Sequence, residues 1–198
     1  VSIAYDHIHE VGAYVAEVTG GTKEKESFVW ALKFYRSLRR RYGDIHIRFA
    51  EPLSVAQSIG SGDELDVQKL AFEVMYRISM ATPVTPTALV ATVMLASRGA
   101  ARDLPSIAGD CRQLARYIEG RDLPTTVPSL PSTEPEVAST LDLMVDHKLV
   151  TRLQVGRRVV FWMNPEQTLR SSYYANTVMH YFVPRGIAEV ALRARDLD

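Results

Sequence analysis

Residues 133–163 read TEPEVASTLDLMVDHKLVTRLQVGRRVVFWM and carry the clearest structural signals in the chain. Thr133 and Glu136 have the spacing of a capping box, and the proline between them suits the first turn of a helix. This pattern predicts a helix that runs to His147. Apolar residues on both sides of Gly156-Arg157-Arg158 then predict a β-hairpin with glycine at its turn.

Three further helices are predicted upstream of this segment. The first spans Glu64–Ser79, and Pro83 and Pro86 end it and start the second. The third begins around Asp103, which is followed by a proline suited to the first turn. The positions predicted to face the core are Leu65, Leu70, Val74 and Ile78 on the first helix, and Leu104, Ile107, Cys111, Leu114 and Ile118 on the third.

The uncharged run from Ser79 to Ser97 is more typical of a buried helix than of a membrane span. A span needs about 20 predominantly apolar residues, whereas this run contains several threonines and two prolines. We therefore predict a core helix that starts at Pro86.

The order of helices and hairpin resembles a winged helix, which makes a DNA-binding module one hypothesis. The helix that would enter the major groove, however, carries four carboxylates that DNA would repel, Glu134, Glu136, Asp142 and Asp146. A structural use of the arrangement is favoured over DNA readout, and a non-catalytic module that binds a protein or a membrane is the alternative. Two more helices, near Thr168–Phe182 and Pro184–Ala194, are predicted to close the chain.

The first part of the chain has a different, α/β pattern. Val1–Tyr5 is predicted to be a buried strand, and a second strand is predicted at 45–49, where apolar and polar residues alternate. The glycine-containing segment Ile59–Asp63 predicts a linker. The chain is thus predicted to divide into an α/β part, residues 1–60, and a mainly α part, residues 61–198.

Composition and charge exclude several classes of function. The 198 residues include 23 Lys+Arg and 23 Asp+Glu, so the chain lacks the basic excess that general nucleic-acid binding requires. The single cysteine, Cys111, rules out an intrachain disulfide and a thiolate zinc cluster, and we predict that it fills core space. A start inside a strand, without Met and without a signal-peptide pattern, suggests a piece of a longer protein.

No catalytic or metal-binding motif is complete in this sequence. The five histidines form no HExxH pair and no cluster with the spacing of metal ligands. A G-x-S-x-G nucleophile motif and the Walker and Rossmann glycine patterns are also missing. A solvated helix face, or attraction to an anionic ligand or lipid headgroups, would each explain the basic stretch formed by Lys33, Arg36, Arg39, Arg40 and Arg41.

Several segments resemble, in order and spacing, the membrane-associated glycerol-3-phosphate acyltransferases. They are Ser2–Asp6, Lys23–Ser27, Arg39–Gly43, Ile47–Ser54, Val74–Ile78, Thr82–Val90 and Tyr173–His180. The opening strand looks like the last of four sequence blocks that build the active site of that family, and residues 1–60 look like the end of its α/β acyltransferase domain. The block with the His-x-x-x-x-Asp motif and the phosphate-binding block have no counterpart in this sequence.

The resemblance implies transfer of an acyl group from acyl-CoA or an acyl carrier protein to the sn-1 hydroxyl of glycerol 3-phosphate, in phospholipid biosynthesis. It implies no cofactor and no metal, and the catalytic residues would lie upstream, so we expect this chain to be inactive alone. Ile3 and Tyr5 would help to wall the site, and Lys23 and Lys25 would contact an anionic substrate or acyl donor. Simple strand packing and ordinary charged loop residues are the alternative interpretations.

The resemblance also implies a peripheral position on the cytoplasmic face of the cell membrane and no nucleic-acid partner. Aromatic residues on a late helix, with arginines nearby, would suit a lipid interface. Core packing explains these residues slightly better. They are Tyr173, Tyr174, Tyr181 and Phe182.

Overall fold

The computed structural model describes residues 1–5, 35, 44–58 and 66–195 of the chain. The strands of this part are β1 (Ser2–Tyr5), β2 (Ile45–Arg48), β3 (Arg102–Asp103), β4 (Thr151–Val155) and β5 (Arg158–Trp162). The helices are α1 (Val55–Ser58), α2 (Val67–Ala81), α3 (Pro86–Ala96), α4 (Leu104–Glu119), α5 (Glu134–Asp146), α6 (Pro165–Asn176) and α7 (Met179–Arg195).

The described part is mostly helical and contains two small antiparallel sheets. In one sheet β1 pairs with β2, and in the other the strand order is β3-β5-β4. The predicted change from a strand-containing start to a mainly helical second part is therefore confirmed. The predicted linker at 59–63 lies entirely outside the described part, so the division at residue 60 stays a prediction.

The core is built around α3, which packs against α4, α5 and α6. Thr85 starts this helix by accepting a 3.0 Å hydrogen bond from the amide of Ala88. Leu89, Val90 and Met94 are almost fully buried, and each such side chain contributes about 1.5–3 kcal/mol relative to an exposed position. The prediction of a core helix from Pro86 is confirmed.

None of the helices in the described part combines the length and the apolar character needed to span a bilayer.

Helix α4 presents the apolar stripe predicted for it. Asp103 caps its first turn by accepting a 3.1 Å hydrogen bond from the amide of Ser106. Ile107, Cys111 and Ile118 have no exposed surface. Burial raises the pKa of the Cys111 thiol to about 12, with a smaller contribution from Asp110 in the same direction and an opposing one from Arg102. The thiol is therefore protonated at neutral pH, and its predicted role as a core residue is confirmed.

The capping box and the hairpin are also confirmed. Both Ser132 and Thr133 donate their backbone N–H to a carboxylate oxygen of Glu136, each at 3.0 Å, which starts α5. Gly156 takes a φ of +61° in the turn between β4 and β5, a conformation that favours glycine. These features confirm the local structure predicted from residues 133–163.

Helix α2 exists as predicted, but its predicted burial is wrong. Val74 is exposed, Leu70 and Ile78 are only half-buried, and none of the residues of α2 is buried. Phe72 and Met75 instead expose most of their surface. A helical apolar pattern identifies a face that can be buried, but only the packing of distant elements decides whether it is. The fourth predicted inward residue, at position 65, lies outside the described part.

The last two helices meet at a different point from the predicted one. The sequence places the break at Pro184, whereas the structure ends α6 at Asn176 and starts α7 at Met179, so Pro184 lies within α7. The hydroxyl of Thr177 donates to the carbonyl of Tyr174 at 2.7 Å in the turn between the helices. Pro184 has no N–H to donate to the carbonyl four residues earlier, and its exposed position leaves this side of α7 open to water.

Candidate functional site

The β1–β2 sheet has one apolar face, which we call the apolar face and which consists of Ile3, Tyr5, Ile45 and Ile47. Ile3 lies opposite Ile47 and Tyr5 opposite Ile45 in the antiparallel register, so the four side chains share one side of the sheet. Their exposed fractions lie between 40% and 61%. The predicted strand is confirmed, but its predicted burial is wrong, because Ile3 and Tyr5 face outward.

The opposite side of β1 attaches the sheet to the helical part. Ser2 and Ala4 are buried there, and the Ser2 hydroxyl forms a 2.8 Å hydrogen bond with the Thr82 hydroxyl. Thr82 follows α2, and its carbonyl accepts a 2.8 Å hydrogen bond from the hydroxyl of Tyr181 on α7. Small residues on this side allow β1 to approach the end of α2 closely, which leaves the larger side chains on the free side.

Tyr181 connects three parts of the structure. Its hydroxyl also lies 3.0 Å from the carbonyl of Met80 and 3.2 Å from that of Ser79, so it approaches the last carbonyls of α2, where helical donors run out. Burial raises the pKa of Tyr181 to about 12, although the positive charge of Arg48 on β2 acts in the opposite direction. The hydroxyl therefore keeps its proton at neutral pH and acts as a donor.

Tyr173 on α6 lies within electrostatic range of Tyr5 on the apolar face. Burial raises the pKa of Tyr173, and the negative charge that the phenol of Tyr5 carries when ionised raises it further. Tyr173 also makes an edge-to-face contact with Tyr174, with ring centroids 5.7 Å apart. Sequence reasoning missed the link between Tyr5 and Tyr173, since no local pattern relates residues so far apart in the chain.

The other late aromatic residues belong to the core, which the sequence analysis favoured slightly over a lipid interface. Tyr174 and Tyr181 are buried, and the partly buried ring of Phe182 packs against the core and lies 5.7 Å from that of Tyr117. Tyr117 donates its hydroxyl to the carbonyl of Tyr181 at 3.0 Å. Tyr117, Tyr181 and Phe182 therefore stabilise the junction between α4 and α7.

Several residues singled out in the sequence lie outside the described part. These are Lys23, Lys25 and the basic stretch formed by Lys33, Arg36, Arg39, Arg40 and Arg41. His46 is described: it lies on β2 opposite Ala4, on the side of the sheet away from the apolar face. No group of three or more His, Cys, Asp or Glu residues suited to a metal ion occurs within the described ranges. The apolar face itself holds only aliphatic groups and a phenol, which suit contact with an apolar molecule rather than proton transfer.

Comparison with known proteins shows to which family the chain belongs. Residues 14–197 match the family described as the glycerol-3-phosphate acyltransferase C-terminal region. The chain belongs to this family. The resemblance noted in the sequence is thus confirmed, and the family match includes β2 and all of the described helices.

Curated relatives extend the similarity to almost the entire chain. The plsB1 proteins of Mycobacterium bovis and of Mycobacterium tuberculosis strains CDC 1551 and H37Rv, which are named as acyltransferases, are each 32% identical to it over 201 residues. These alignments cover 98% of the chain but only 32% of each relative. The chain therefore spans about a third of the length of these acyltransferase relatives.

Proposed function

We propose that this chain is the C-terminal portion of an enzyme that transfers an acyl group to the sn-1 hydroxyl of glycerol 3-phosphate in phospholipid biosynthesis. The acyl donor is acyl-CoA or an acyl carrier protein. The observation that carries the proposal is the family match over residues 14–197 together with the acyltransferase relatives aligned over 98% of the chain. In this proposal the catalytic residues lie outside this chain.

The chemistry explains why further residues are needed. The hydroxyl of glycerol 3-phosphate attacks the thioester carbonyl, a tetrahedral oxyanion forms, and the thiolate leaves. A general base must take the hydroxyl proton, and this family uses the His of a His-x-x-x-x-Asp motif, as the resemblance implies. None of the five histidines of this chain has Asp five positions later; His46 comes closest, with Glu51.

The apolar face has the chemistry of a wall for the acyl chain. Ile3 and Tyr5, with their neighbours on β2, are exposed while the back of β1 is anchored through Ser2. An acyl chain gains about 0.8 kcal/mol for each CH₂ group that it buries against such a surface. In this proposal Lys23 and Lys25 attract the negative charge of the substrate or of the donor.

Activity measurements test the proposal directly. We expect no turnover of palmitoyl-CoA with glycerol 3-phosphate by the 198-residue chain, and turnover when the chain is part of a polypeptide that supplies the His-x-x-x-x-Asp block. In that polypeptide, Ile3→Asp should lower kcat/KM by about tenfold or more, because a carboxylate opposes burial of the acyl chain. Val155→Asp, at an exposed position of the β4–β5 hairpin, is the matched control. Turnover by the 198-residue chain alone, or equal activity of the two variants, would contradict the proposal.

We also propose that the enzyme is peripheral on the cytoplasmic face of the cell membrane. Val183, Ile187 and Val190 form an exposed apolar stripe at helical spacing on α7, and Arg185 and Arg193 lie on the same helix. An apolar stripe with basic neighbours is suited to a lipid surface. The stripe also supports the second candidate, a non-catalytic module with the winged-helix-like order α3–β3–α4–α5–β4–β5, which binds a membrane or a protein.

Vesicle flotation measures this membrane contact. We expect the 198-residue chain to float with vesicles of phosphatidylglycerol and phosphatidylcholine. The double variant Ile187→Ser/Val190→Ser should lose at least about half of the floated fraction, because it removes two apolar side chains from the stripe. Val155→Ser alters an exposed apolar position elsewhere and should float normally. Failure of the unmodified chain to float would contradict membrane contact through α7.

A further inference from the structure

A polar cleft of about 490 Å³ lies between the end of α5, β4 and the start of α6, on residues that the acyltransferase proposal does not use. Three cationic side chains line it, those of Lys148, Arg152 and Arg170, whereas Glu166 is its only acidic lining residue among the described ones. The cleft is therefore electropositive. Its volume lies within the range of small-ligand sites in proteins.

The cationic groups retain donors that their protein partners do not use. Arg170 donates from one terminal nitrogen to Glu166 at 2.6 Å, and its other terminal nitrogen has no carboxylate partner among the described residues. Arg152 forms an ion pair with Asp142, and a guanidinium has five N–H donors in all. Lys148 has no carboxylate partner among the described residues. The donors that remain suit an anion with several oxygens.

Lys148 reaches the cleft from a backbone position that glycine usually occupies. It follows α5 with a φ of +58°, and its amide bonds to the carbonyl of Val145 at 3.0 Å while that of Leu149 bonds to Met144 at 2.8 Å. This pair of hydrogen bonds is the Schellman helix end, in which glycine is favoured at the left-handed residue. Replacement of Lys148 by glycine thus removes the ammonium group and keeps the backbone.

We propose that this cleft binds a phosphate group, held by Lys148, Arg152 and Arg170. Arginine guanidinium groups bind phosphate oxygens through paired, charge-assisted hydrogen bonds, and the lysine ammonium adds a mobile point charge. The phosphate belongs to a soluble phosphate ester or to a lipid headgroup, which share this chemistry. The assignment is independent of the proposed acyl transfer, because it rests only on the residues of the cleft.

Titration with inorganic phosphate, followed by ¹H–¹⁵N NMR of the 198-residue chain at constant ionic strength against chloride, tests the site. We expect saturable shifts of amides around Thr151 and Gln167, which also line the cleft. Lys148→Gly and Arg170→Gln should each weaken the apparent affinity about 3–10-fold, since each removes a charged donor. Arg158→Gln, an exposed arginine on β5 outside the cleft, should bind as the unmodified chain does. The spectra also report whether each variant is folded.

Two further experiments distinguish a soluble phosphate ester from a lipid headgroup. Saturable shifts with glycerol 3-phosphate at the same amides indicate a soluble ester. Flotation with phosphatidic acid vesicles that Lys148→Gly and Arg170→Gln both reduce indicates a headgroup. Absence of binding to inorganic phosphate, to glycerol 3-phosphate and to phosphatidic acid vesicles overturns the proposal. Equal affinity of the two cleft variants and of Arg158→Gln also overturns it, because binding would then be elsewhere or an adventitious ion only.

Discussion

Leu141→Ala is expected to lower the free energy of unfolding by about 2–5 kcal/mol. Leu141 lies on α5 and has no exposed surface within the core that α5 shares with α3 and α4. The substitution removes buried methyl groups and leaves a cavity that the surrounding helices fill only in part. Urea denaturation monitored by circular dichroism measures the change.

Leu143 provides a matched control on the same helix. Its side chain is 45% exposed, so Leu143→Ala removes the same atoms from a position that already contacts water. We expect a loss of less than about 1 kcal/mol for this variant. If Leu141→Ala and Leu143→Ala lowered the free energy of unfolding equally, Leu141 would not be the residue of this pair that α5 buries in the core.

Tyr181→Phe is expected to destabilise the protein by about 1–3 kcal/mol, because the ring stays in place while its hydroxyl is lost. Tyr181 is only 6% exposed, and its hydroxyl lies within 3.2 Å of three carbonyls, those of Ser79, Met80 and Thr82. Without the hydroxyl, the partly buried carbonyl of Thr82 loses its donor. The attachment of α7 to the end of α2, and through Thr82 to β1, weakens as a result.

The control for this substitution is Tyr173→Phe, which removes the same hydroxyl from a residue that is 41% exposed. We expect its free energy of unfolding to change by less than about 0.5 kcal/mol. Thermal and urea unfolding of the two variants in parallel make the comparison. If Tyr181→Phe were as stable as the unmodified chain, the hydroxyl of Tyr181 would not hold α2 and α7 together.

The alkaline pH dependence of stability offers a second measurement on Tyr181. Its pKa is raised from 10.0 to about 12 in the folded protein, so the neutral phenol is favoured by folding. The resulting stabilisation is fully present below pH 10 and is lost as the pH rises through 12. The free energy of unfolding of Tyr181→Phe should therefore fall less steeply than that of the unmodified chain between pH 10 and 12. Cys111, whose pKa is also raised, contributes equally to the decline in both proteins.

Much of the local structure was predictable because its signals act over a few residues. The capping box before α5, Asp103 before α4 and the glycine in the β4–β5 turn each involve hydrogen bonds or φ angles set by near neighbours. A comparable signal was missed before α6, where Asn164 and Gln167 form a capping box. This capping box predicts a helix that starts at Pro165 rather than near Thr168.

The candidate site was predictable only in part. Ile3 and Tyr5 were singled out from the resemblance to the family, and both lie on the exposed apolar face. Their exposure was not predictable, because alternation in a strand separates two faces without telling which one is covered. The proximity of Tyr173 to Tyr5 and the cationic cleft around Lys148 likewise depend on elements that are distant in the sequence.

The sequence alone predicts the family, the elements α3, α4, α5, β4 and β5, and the core stripe of α4, since periodicity, capping and glycine conformation are properties of short segments. Three features follow from tertiary packing instead: α2 is largely exposed, β1 turns its small residues inward, and Tyr181 bonds to the end of α2. Burial and long-range hydrogen bonds depend on which surfaces meet in the folded chain. The residues around Thr82 and around Tyr181 show no local pattern that predicts the hydrogen bond between them.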